Sequence, residues 1–266
     1  LSLHPQKTKA FIFSTPRANL NLNTDVNGRT FLPLFLNMND ANEHDISKII
    51  PISMVPNPED TSVKALGVYI DDKLNFKNHF KHLHGKVAKA VFSLRIMRHI
   101  LDKRHLKLLY SSYLKSAIEY GSLLFTNVAK STMNPIIVLQ KKSIRLICSS
   151  GYRDHTAPLF KQEKLLQFED IIFFNICKFM FDYSNNTLPH IFNNTWRKNR
   201  DVHNYPVRNH NDYFISATNK TFLSKFPLFF FPKAWNSLPN ELKIINSKKI
   251  FVKKLFNYLI DNITVD

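Results

Sequence analysis

Two adjacent carboxylates, Asp71 and Asp72, are the first candidates for chemistry in this chain, because paired aspartates can hold divalent metal ions. They end the run Tyr69-Ile70-Asp71-Asp72. Phosphoryl transfer with two metals needs carboxylates from more than one strand, which hold the ions about 3.5–4 Å apart. The acids upstream of this run all lie in loop-like sequence: Asp25, Asp40, Glu43, Asp45, Glu59 and Asp60. We therefore expect the run to be a coincidence, and Asp71 or Asp72 to end a strand and cap the following helix.

Three histidines, His79, His82 and His84, are the next candidates, as metal ligands. His79 and His82 are spaced to share one face of a helix. A metal needs more ligands than two from one helix, and no pattern of cysteines or acids adjoins them. We expect a solvated face here. The sequence also lacks a phosphate-binding loop, a nucleophile elbow and an HExxH motif.

The two cysteines, Cys148 and Cys177, are too few for a disulfide framework or a four-cysteine zinc site. We expect buried thiols in an intracellular protein, nuclear or cytoplasmic and not secreted, since we see no secretory signal. The longest apolar run, residues 171–183, is shorter than the roughly 20 residues that cross a bilayer, so it predicts a buried helix and no membrane partner. The chain begins with Leu1 rather than methionine, and we expect it to be a piece of a longer polypeptide.

Short strand-like runs occupy the first quarter of the chain. They lie at residues 10–13, 31–37 and 45–53, within sequence rich in Asn, Asp and Pro. Residues 64–71 follow as a single strand with an alternating pattern. After residue 72 the apolar period changes from two to three or four, which indicates helices.

Three helices are predicted between residues 73 and 150. The first is capped by Asn75 or Asn78, and the second spans about 104–124. The third begins at Asn134-Pro135, a cap followed by proline at the first helical position. The inward residues of the first helix are Phe80, Leu83, Val87, Val91 and Leu94. Those of the second are Leu106, Tyr110, Tyr113, Ala117 and Tyr120, and those of the third are Ile137, Ile144 and Ile147.

The remainder of the chain is predicted to be helical and apolar, with a short strand between Pro227 and Pro232 and a closing amphipathic helix at about 248–260. The fold class is therefore α+β and mostly helical: a small β-rich part, a three-helix basic unit, and a helical C-terminal region with a short strand or two. Aromatic residues such as Trp196 and Trp235 can stack on bases, but Phe230 and Trp235 lie in apolar sequence and are expected to pack in the core.

Positive charge is concentrated in residues 73–150. The whole chain has a formal net charge of +17, and this segment holds 15 Lys and Arg against two acids, Asp102 and Glu119. Acids would normally be interspersed, because like charges on one surface repel. The imbalance favours contact with a polyanion, most simply nucleic acid, over a merely solvated face. The predicted contacts lie off the apolar stripes: Lys81, Lys89, Lys107, Lys141, Lys142 and Arg145.

Several motifs follow one another along nearly the whole chain. They are KTKAFIFS, KALGVYIDDKLNFKNHF, LYSSYLKSAIEYGSLLF, LQKKSIRLIC, HTAPLFKQEKLLQFEDI, FMFDYSNNTLPHIF and WNSLPNELK. Each holds only a handful of fixed residues, but their order resembles the region downstream of the catalytic box in reverse transcriptases of non-LTR retrotransposons (LINEs). The resemblance is greatest to the jockey and CR1-like lineages.

This resemblance implies the last part of a polymerase fold that is shaped like a right hand, with fingers, palm and thumb. Residues 1–72 would be a palm remnant, residues 73–150 a thumb-like basic helical unit, and residues 151–266 a mostly helical C-terminal region. Lys7 matches the lysine sometimes assigned to protonating the pyrophosphate leaving group. Residues 66–71 match the strand motif near the primer grip. In this family the paired catalytic aspartates precede the Lys-Thr motif, so Asp71 and Asp72 come too late to be that pair.

The expected function is that of a fragment of an RNA-directed DNA polymerase, which lacks the catalytic aspartates and contributes primer–template binding. Alone it should be inactive and hold no cofactor, whereas the intact polymerase uses Mg²⁺. Its partners would be an RNA–DNA primer–template duplex and the missing upstream palm and fingers of the same polypeptide. An alternative is a non-catalytic or domesticated nucleic-acid-binding protein derived from such an element, and a third is a basic scaffold for protein partners.

Overall fold

The computed structural model describes residues 62–71, 73–202, 209–217 and 223–263, together with six two-residue strands between residues 10 and 55. Over these residues the fold is α+β and mostly helical, as the sequence predicts. The chain divides into two compact units, Leu1–His79 and Phe80–Asp266. From residue 80 onwards, the helices predicted as thumb-like and those of the C-terminal region belong to the second unit.

The six short strands form three two-stranded pairs in the first unit. β1 pairs with β6 in parallel, whereas β2 pairs with β3 and β4 with β5 in antiparallel fashion. Each of the three strand-like runs predicted before residue 60 contains strand residues. Lys7 and Asp72 lie outside the described residues. The strands are β1 (Ala10–Phe11), β2 (Asn23–Thr24), β3 (Thr30–Phe31), β4 (Phe35–Leu36), β5 (Ile50–Pro51) and β6 (Met54–Val55).

A β-hairpin replaces the single strand predicted at 64–71. β7 (Ser62–Ala65) pairs antiparallel with β8 (Val68–Asp71) across a two-residue turn. The turn residues, Leu66 and Gly67, both have positive φ, at 47° and 86°. Two positive φ angles define the type I′ turn that suits the twist of a hairpin. The single-strand prediction was wrong because leucine rarely adopts this conformation, so the alternating pattern concealed the turn.

Helix α1 (Lys77–Met97) follows the hairpin, and its predicted apolar stripe is confirmed: Phe80, Leu83, Val87 and Leu94 are buried, and Val91 is half-buried. The predicted caps were wrong, because the helix begins at Lys77 and Asn78 lies in its first turn. Phe80 packs edge-on against Phe125 and Phe168, at 5.0 and 6.4 Å between ring centroids. These contacts fasten α1 to the core of the second unit.

The second predicted helix is interrupted by a π-helical turn. α2 (Lys103–Leu109) continues into the π-turn (Tyr110–Lys115) and then α3 (Ser116–Glu119). Within it the Ser116 N–H donates to the Ser111 carbonyl, five residues back. The wider turn places every fourth residue on the buried side: Leu106, Tyr110, Leu114 and Ile118.

Two tyrosines of this segment are therefore on the surface and not in the core. Tyr113 is 63% exposed and Tyr120 53% exposed, while Ala117 is half-buried. The core prediction for these tyrosines was wrong because it assumed an α-helical period throughout. The π-turn changes the rotation per residue, so residues after Tyr110 face directions that an α-helix would not give them. A 3₁₀ segment (Ser122–Asn127) completes this part of the chain.

Helix α4 (Lys130–Cys148) starts earlier than predicted, with Pro135 inside it. The N–H groups of Thr132 and Met133 both donate to the Ala129 carbonyl, at 3.0 and 3.3 Å, so the first turn closes before the proline. Ile136 is fully buried in place of the predicted Ile137, which is half-buried. The predicted burial of Ile144 and Ile147 is confirmed.

Helix α6 (Phe168–Ser184) is the centre of the second unit, and its predicted burial is confirmed. It packs against α3, the 3₁₀ segment after it, α8 (Pro227–Asn236) and α10 (Lys248–Asp261). Cys177 is fully buried in α6, whereas Cys148 at the end of α4 is half-buried, and both thiols are free. The remaining helices are α5 (Thr156–Glu163), α7 (Asn199–Val202), α8 (Pro227–Asn236), α9 (Asn240–Lys243) and α10 (Lys248–Asp261), with 3₁₀ segments at His190–Phe192 and Leu223–Lys225.

Helix α8 occupies the place of the predicted strand between Pro227 and Pro232. Pro227 stands in the first turn, where proline suits a helix. Pro232 has no N–H to donate to the Leu228 carbonyl, but the Trp196 indole N–H donates to that carbonyl at 2.8 Å. The strand prediction was wrong because this compensation comes from 32 residues away. The predicted closing helix is confirmed as α10.

The buried Tyr110 hydroxyl allows a test of which side chains the π-turn directs into the core. The Gln140 amide donates to this hydroxyl at 2.9 Å and to the Leu166 carbonyl at 3.1 Å, and all three groups are buried. Tyr110→Phe would leave one amide hydrogen without an acceptor, so we expect a loss of about 1–3 kcal/mol in the free energy of unfolding. Urea denaturation measures it.

Tyr113→Phe is the matched control, because it removes a hydroxyl from an exposed ring three residues later in the same turn. We expect its free energy of unfolding to change by less than about 0.5 kcal/mol. Equal losses in the free energy of unfolding of the two variants would contradict the assignment of Tyr110 to the core and Tyr113 to the surface.

Candidate nucleic-acid interface

Lys81 and Lys89 lie on the solvent side of α1. The apolar stripe of Phe80, Leu83 and Val87 turns one face of the helix inward, and the two lysines point away from it. Both are exposed, and neither ammonium group makes an ion pair or hydrogen bond with another described residue. They are therefore free to meet an anion.

Lys141 and Lys142 are exposed in the same way on α4. Gln140, Ser143 and Ile144 are buried around them, which leaves the two lysines on the outer side of the helix. Within the described part of the chain they also have no ion pair or hydrogen bond. Two adjacent ammonium groups with no carboxylate partner form a second exposed cationic patch.

Lys107 and Arg145 have structural partners instead. The Lys107 ammonium donates to the Glu163 carbonyl at 2.7 Å and lies 3.4 Å from the Glu163 carboxylate. The Arg145 guanidinium donates twice to the Asp154 carbonyl, at 3.0 Å from Nε and 2.8 Å from Nη2. Their contact with nucleic acid remains a prediction, but the structure gives both side chains a role in fastening α2 and α4 to their neighbours.

Both acids of residues 73–150 interact with residues that are close to them in sequence. The Asp102 carboxylate caps α2 by accepting from the His105 N–H at 2.9 Å, and this hydrogen bond lowers the Asp102 pKa. Glu119 lies 3.5 Å from the Lys115 ammonium. Only four of the 15 cations in this segment make ion pairs with described residues: Lys103, Lys107, Lys115 and Lys130. The exposed positive charge is therefore largely uncompensated.

Among the residues that the structure describes, Glu163 is the one buried carboxylate beside the basic helices, with 6% of its surface exposed. It pairs with Lys103 and Lys107, so it ties the end of α5 to α2. Burial alone would raise the Glu163 pKa, but the hydrogen bonds and charges of the two lysines outweigh burial and lower it. The same pairing raises the Lys103 pKa. Burial, with the nearby Glu163 charge, raises the pKa of the Cys148 thiol.

The residues first considered for metal chemistry do not come together. Asp71 ends β8 as predicted, but its carboxylate accepts from the Asn75 N–H at 2.6 Å and so caps the connecting turn, two residues before α1. His79 is buried, contrary to the solvated face expected for the histidines, and its Nδ1 accepts from the Tyr69 N–H at 3.5 Å. Within the described ranges, no three His, Cys, Asp or Glu side chains are grouped to hold a metal ion.

The aromatic residues divide into buried and exposed groups. Trp235 is buried, so its predicted core packing is confirmed, and Phe230 is half-buried. Trp196 is also buried. Tyr113 and Tyr120 are surface aromatics of the basic unit that sequence reasoning placed inside. The signal that could have identified them is the row of apolar residues at a constant spacing of four, which fits a π-turn better than an α-helix: Leu106, Tyr110, Leu114 and Ile118.

Comparisons with models of protein families, with curated proteins and with solved structures found no match to this chain. The resemblance to retrotransposon reverse transcriptases therefore rests on the motifs in the sequence. None of the helices in the described residues is long and apolar enough to span a membrane.

The Glu163 pairing predicts an acid-sensitive contribution to stability. The lysines lower the pKa of Glu163 in the folded protein. The contribution of Glu163 to the free energy of unfolding is therefore present above the ordinary carboxyl pKa of 4.5, and it is lost as the pH falls through the pKa of the folded state. Glu163→Gln should lower the free energy of unfolding at neutral pH by about 1.5–3 kcal/mol, the range for hydrogen bonds to charged groups. It should also flatten the acid dependence of that free energy, measured by urea denaturation.

Glu169→Gln provides the control, because the Glu169 carboxylate lies 3.8 Å from Lys130 and both side chains are largely exposed. An exposed pair contributes about 0–1 kcal/mol. If the wild type and Glu163→Gln lost stability equally on acidification, the assigned role of Glu163 would be wrong.

Proposed function

We propose that this chain is the end of the palm, the thumb and the downstream region of a retrotransposon-type RNA-directed DNA polymerase, and that it holds the primer–template duplex. The observation that carries the binding part is the exposed, uncompensated charge of α1 and α4. The motif order along the sequence supports the polymerase origin.

These exposed cations are suited to contacting phosphate groups. Lysines on the outer faces of α1 and α4 can neutralise backbone phosphates and release the counterions condensed on the duplex. Such contacts set the position of a duplex without reading its sequence. A polymerase thumb needs this behaviour, since it must hold any sequence that is being copied.

The cationic faces are held on a packed scaffold. Glu163 fastens α2 to α5, the Arg145 guanidinium fastens α4 to the loop at Asp154, and Phe80 anchors α1 in the core. Rigid helices keep charged groups at fixed spacing, which lowers the entropy lost on binding. Lys107 and Arg145 contribute mainly through this support, and Lys81, Lys89, Lys141 and Lys142 through direct contact.

The chemical step belongs to the intact parent. Its Mg²⁺-binding carboxylates would lie upstream in the same polypeptide, because Asp71 is engaged in a turn. Lys7, the proposed leaving-group acid, lies outside the described residues. This chain then contributes binding and positioning, and is inactive by itself.

The first test measures the salt dependence of binding to a short RNA–DNA hybrid by fluorescence anisotropy. Wild-type protein should show a steep linear fall of log K with log salt concentration. Replacing both Lys141 and Lys142 by alanine should reduce that slope by roughly 1–2 units, because about 0.9 unit is expected for each phosphate contact.

The matched control is the double replacement of Lys253 and Lys254 by alanine. These adjacent, exposed lysines of α10 also lack ion pairs within the described residues, so both double variants lose the same charge. The control should keep the wild-type slope. Equal slopes for the two variants would mean that binding follows net charge and that the α4 face makes no specific contact.

The origin of the fragment is tested separately by reading the upstream nucleotide sequence in frame. An open frame that encodes a strand–turn–strand with two aspartates, and an earlier strand with another, is expected. Stops in every frame would contradict the polymerase fragment while leaving duplex binding to be judged by the salt slopes.

A further inference from the structure

The solvent side of α1 carries a row of exposed residues, which we call the outer stripe: Lys81, Gly85, Lys89, Phe92 and Ile96. Each residue follows the previous one after three or four positions. At 3.6 residues per turn, this spacing keeps all five within about 80° of the helix circumference. The buried apolar stripe of α1 lies on the opposite side. The five residues therefore form one continuous surface.

Phe92 and Ile96 expose apolar surface beside the lysines of the outer stripe. Phe92 is 64% exposed and Ile96 is 47% exposed. The Phe92 ring makes no contact with another ring or with a cation among the described residues. Phe92 comes three residues after Lys89, a spacing that makes two side chains neighbours on a helix surface. A ligand that covers the Lys89 ammonium therefore lies beside the Phe92 ring.

Gly85 leaves the outer stripe open between its two lysines. A Cβ at this position would meet no atom of another described element within 4 Å, so packing does not require glycine here. Glycine is less favourable than alanine inside a helix. Its presence exposes the helix backbone between Lys81 and Lys89, where an extended ligand can approach closely.

The charge of α1 favours a polyanion as this ligand. Residues 77–97 contain no Asp or Glu. A helix that lies on an anionic bilayer buries a whole apolar face, but the apolar face of α1 is already packed in the core. Proteins that bind unpaired nucleic-acid strands combine spaced cations with rings on which bases stack. The narrow outer stripe has this combination.

We infer that the outer stripe binds an unpaired nucleic-acid strand, with phosphates at Lys81 and Lys89 and a base stacked on Phe92. The inference rests on the proposed nucleic-acid binding and adds the form of the ligand. In a duplex the faces of the bases are covered by their neighbours, and side chains reach edges and phosphates. A ring on a helix surface therefore stacks only where a strand is unpaired or ends. Lys81 and Lys89 then hold the strand at the point where it leaves the duplex.

The test compares Phe92→Leu with Phe92→Tyr in the whole chain. Leucine keeps apolar bulk but removes the ring, whereas tyrosine keeps a ring that can stack. The probe is single-stranded oligodeoxyadenylate of about eight nucleotides, a length within the range of one binding fold. Phe92→Leu should weaken its binding roughly 5- to 150-fold, the range for loss of one stacked base, and Phe92→Tyr should bind like the wild type. Both variants should unfold at the urea concentration of the wild type, because the side chain is exposed.

Two comparison ligands separate stacking from charge. An abasic oligonucleotide of equal length offers phosphates without bases, so Phe92→Leu should bind it as the wild type does. A fully paired, blunt hairpin should also be affected less than the single strand. Lys89→Ala should weaken binding of the abasic ligand too, and should reduce its salt slope by about 0.7 unit, the value for one phosphate contact with a single strand.

Tyr152→Leu is the matched control for removal of an exposed ring. Tyr152 lies in the loop after α4, is 80% exposed and makes no ring contact with another described residue. This variant should bind the oligonucleotide like the wild type. Equal weakening by Tyr152→Leu and Phe92→Leu would mean that exposed rings contribute without regard to position, and would overturn the site on α1.

The failures of the two proposals are distinguishable. If wild-type protein binds no nucleic acid, or binds with a flat salt slope, the proposed function fails. If wild-type binding is steep in salt but Phe92→Leu is unchanged, or weakens the abasic ligand equally, the stacking inference is overturned. It is also overturned if Phe92→Leu loses binding to vesicles of phosphatidylserine and phosphatidylcholine while its oligonucleotide binding is unchanged, because the outer stripe would then serve a membrane surface.

Discussion

The apolar surface of α6 is the constraint on which the second unit depends. A helix that is hydrophobic on every side must be covered on every side. α3, α8, α10 and the 3₁₀ segment Ser122–Asn127 supply that cover, so residues from the middle and the end of the chain meet around one axis. Phe181 stacks on Phe251 of α10 with ring centroids 4.5 Å apart, and Phe179 packs edge-on against Phe231 of α8 at 5.4 Å. The basic helices are secured to the same axis through Phe80 and Phe168.

Three carboxylates link elements that are distant in sequence. Glu163 joins α5 to α2, Asp182 joins α6 to Lys248, and Asp212 lies 2.9 Å from Lys243 of α9. Once the few acids hold such positions, the many lysines and arginines have little internal charge to pair with. Positive charge then collects on the outer faces, and the same scarcity of acids that secures the fold produces the cationic surface.

Local periodicity was enough to predict the elements whose pattern is unambiguous. The stripes of α1 and α10 and the strongly apolar α6 were predictable because each residue pattern has one stable partner arrangement. The exposure of Lys81 and Lys89 followed from the α1 stripe, and that of Lys141 and Lys142 from the burial of Ile144 and Ile147 predicted for α4.

The features that sequence missed depend on distant partners or uncommon backbone geometry. The helix at Pro232 requires the Trp196 indole, the roles of Lys107 and Arg145 require Glu163 and Asp154, and the hairpin requires a leucine with positive φ. No window of a dozen residues contains most of these pairings. Tyr113 was misplaced for a related reason, since an α-helical period was applied to a π-turn.

The π-turn has a consequence for how this protein can vary between relatives. Deleting one residue between Tyr110 and Leu114 would shorten their spacing from four to three, and leave Ile118 four residues beyond Leu114. That spacing is the one an ordinary α-helix buries. The interior could therefore keep its register after a single-residue deletion, while the outward side chains rotate to new positions. The turn is thus a place where length variation would reshape the solvent face of the helix and leave the core almost untouched.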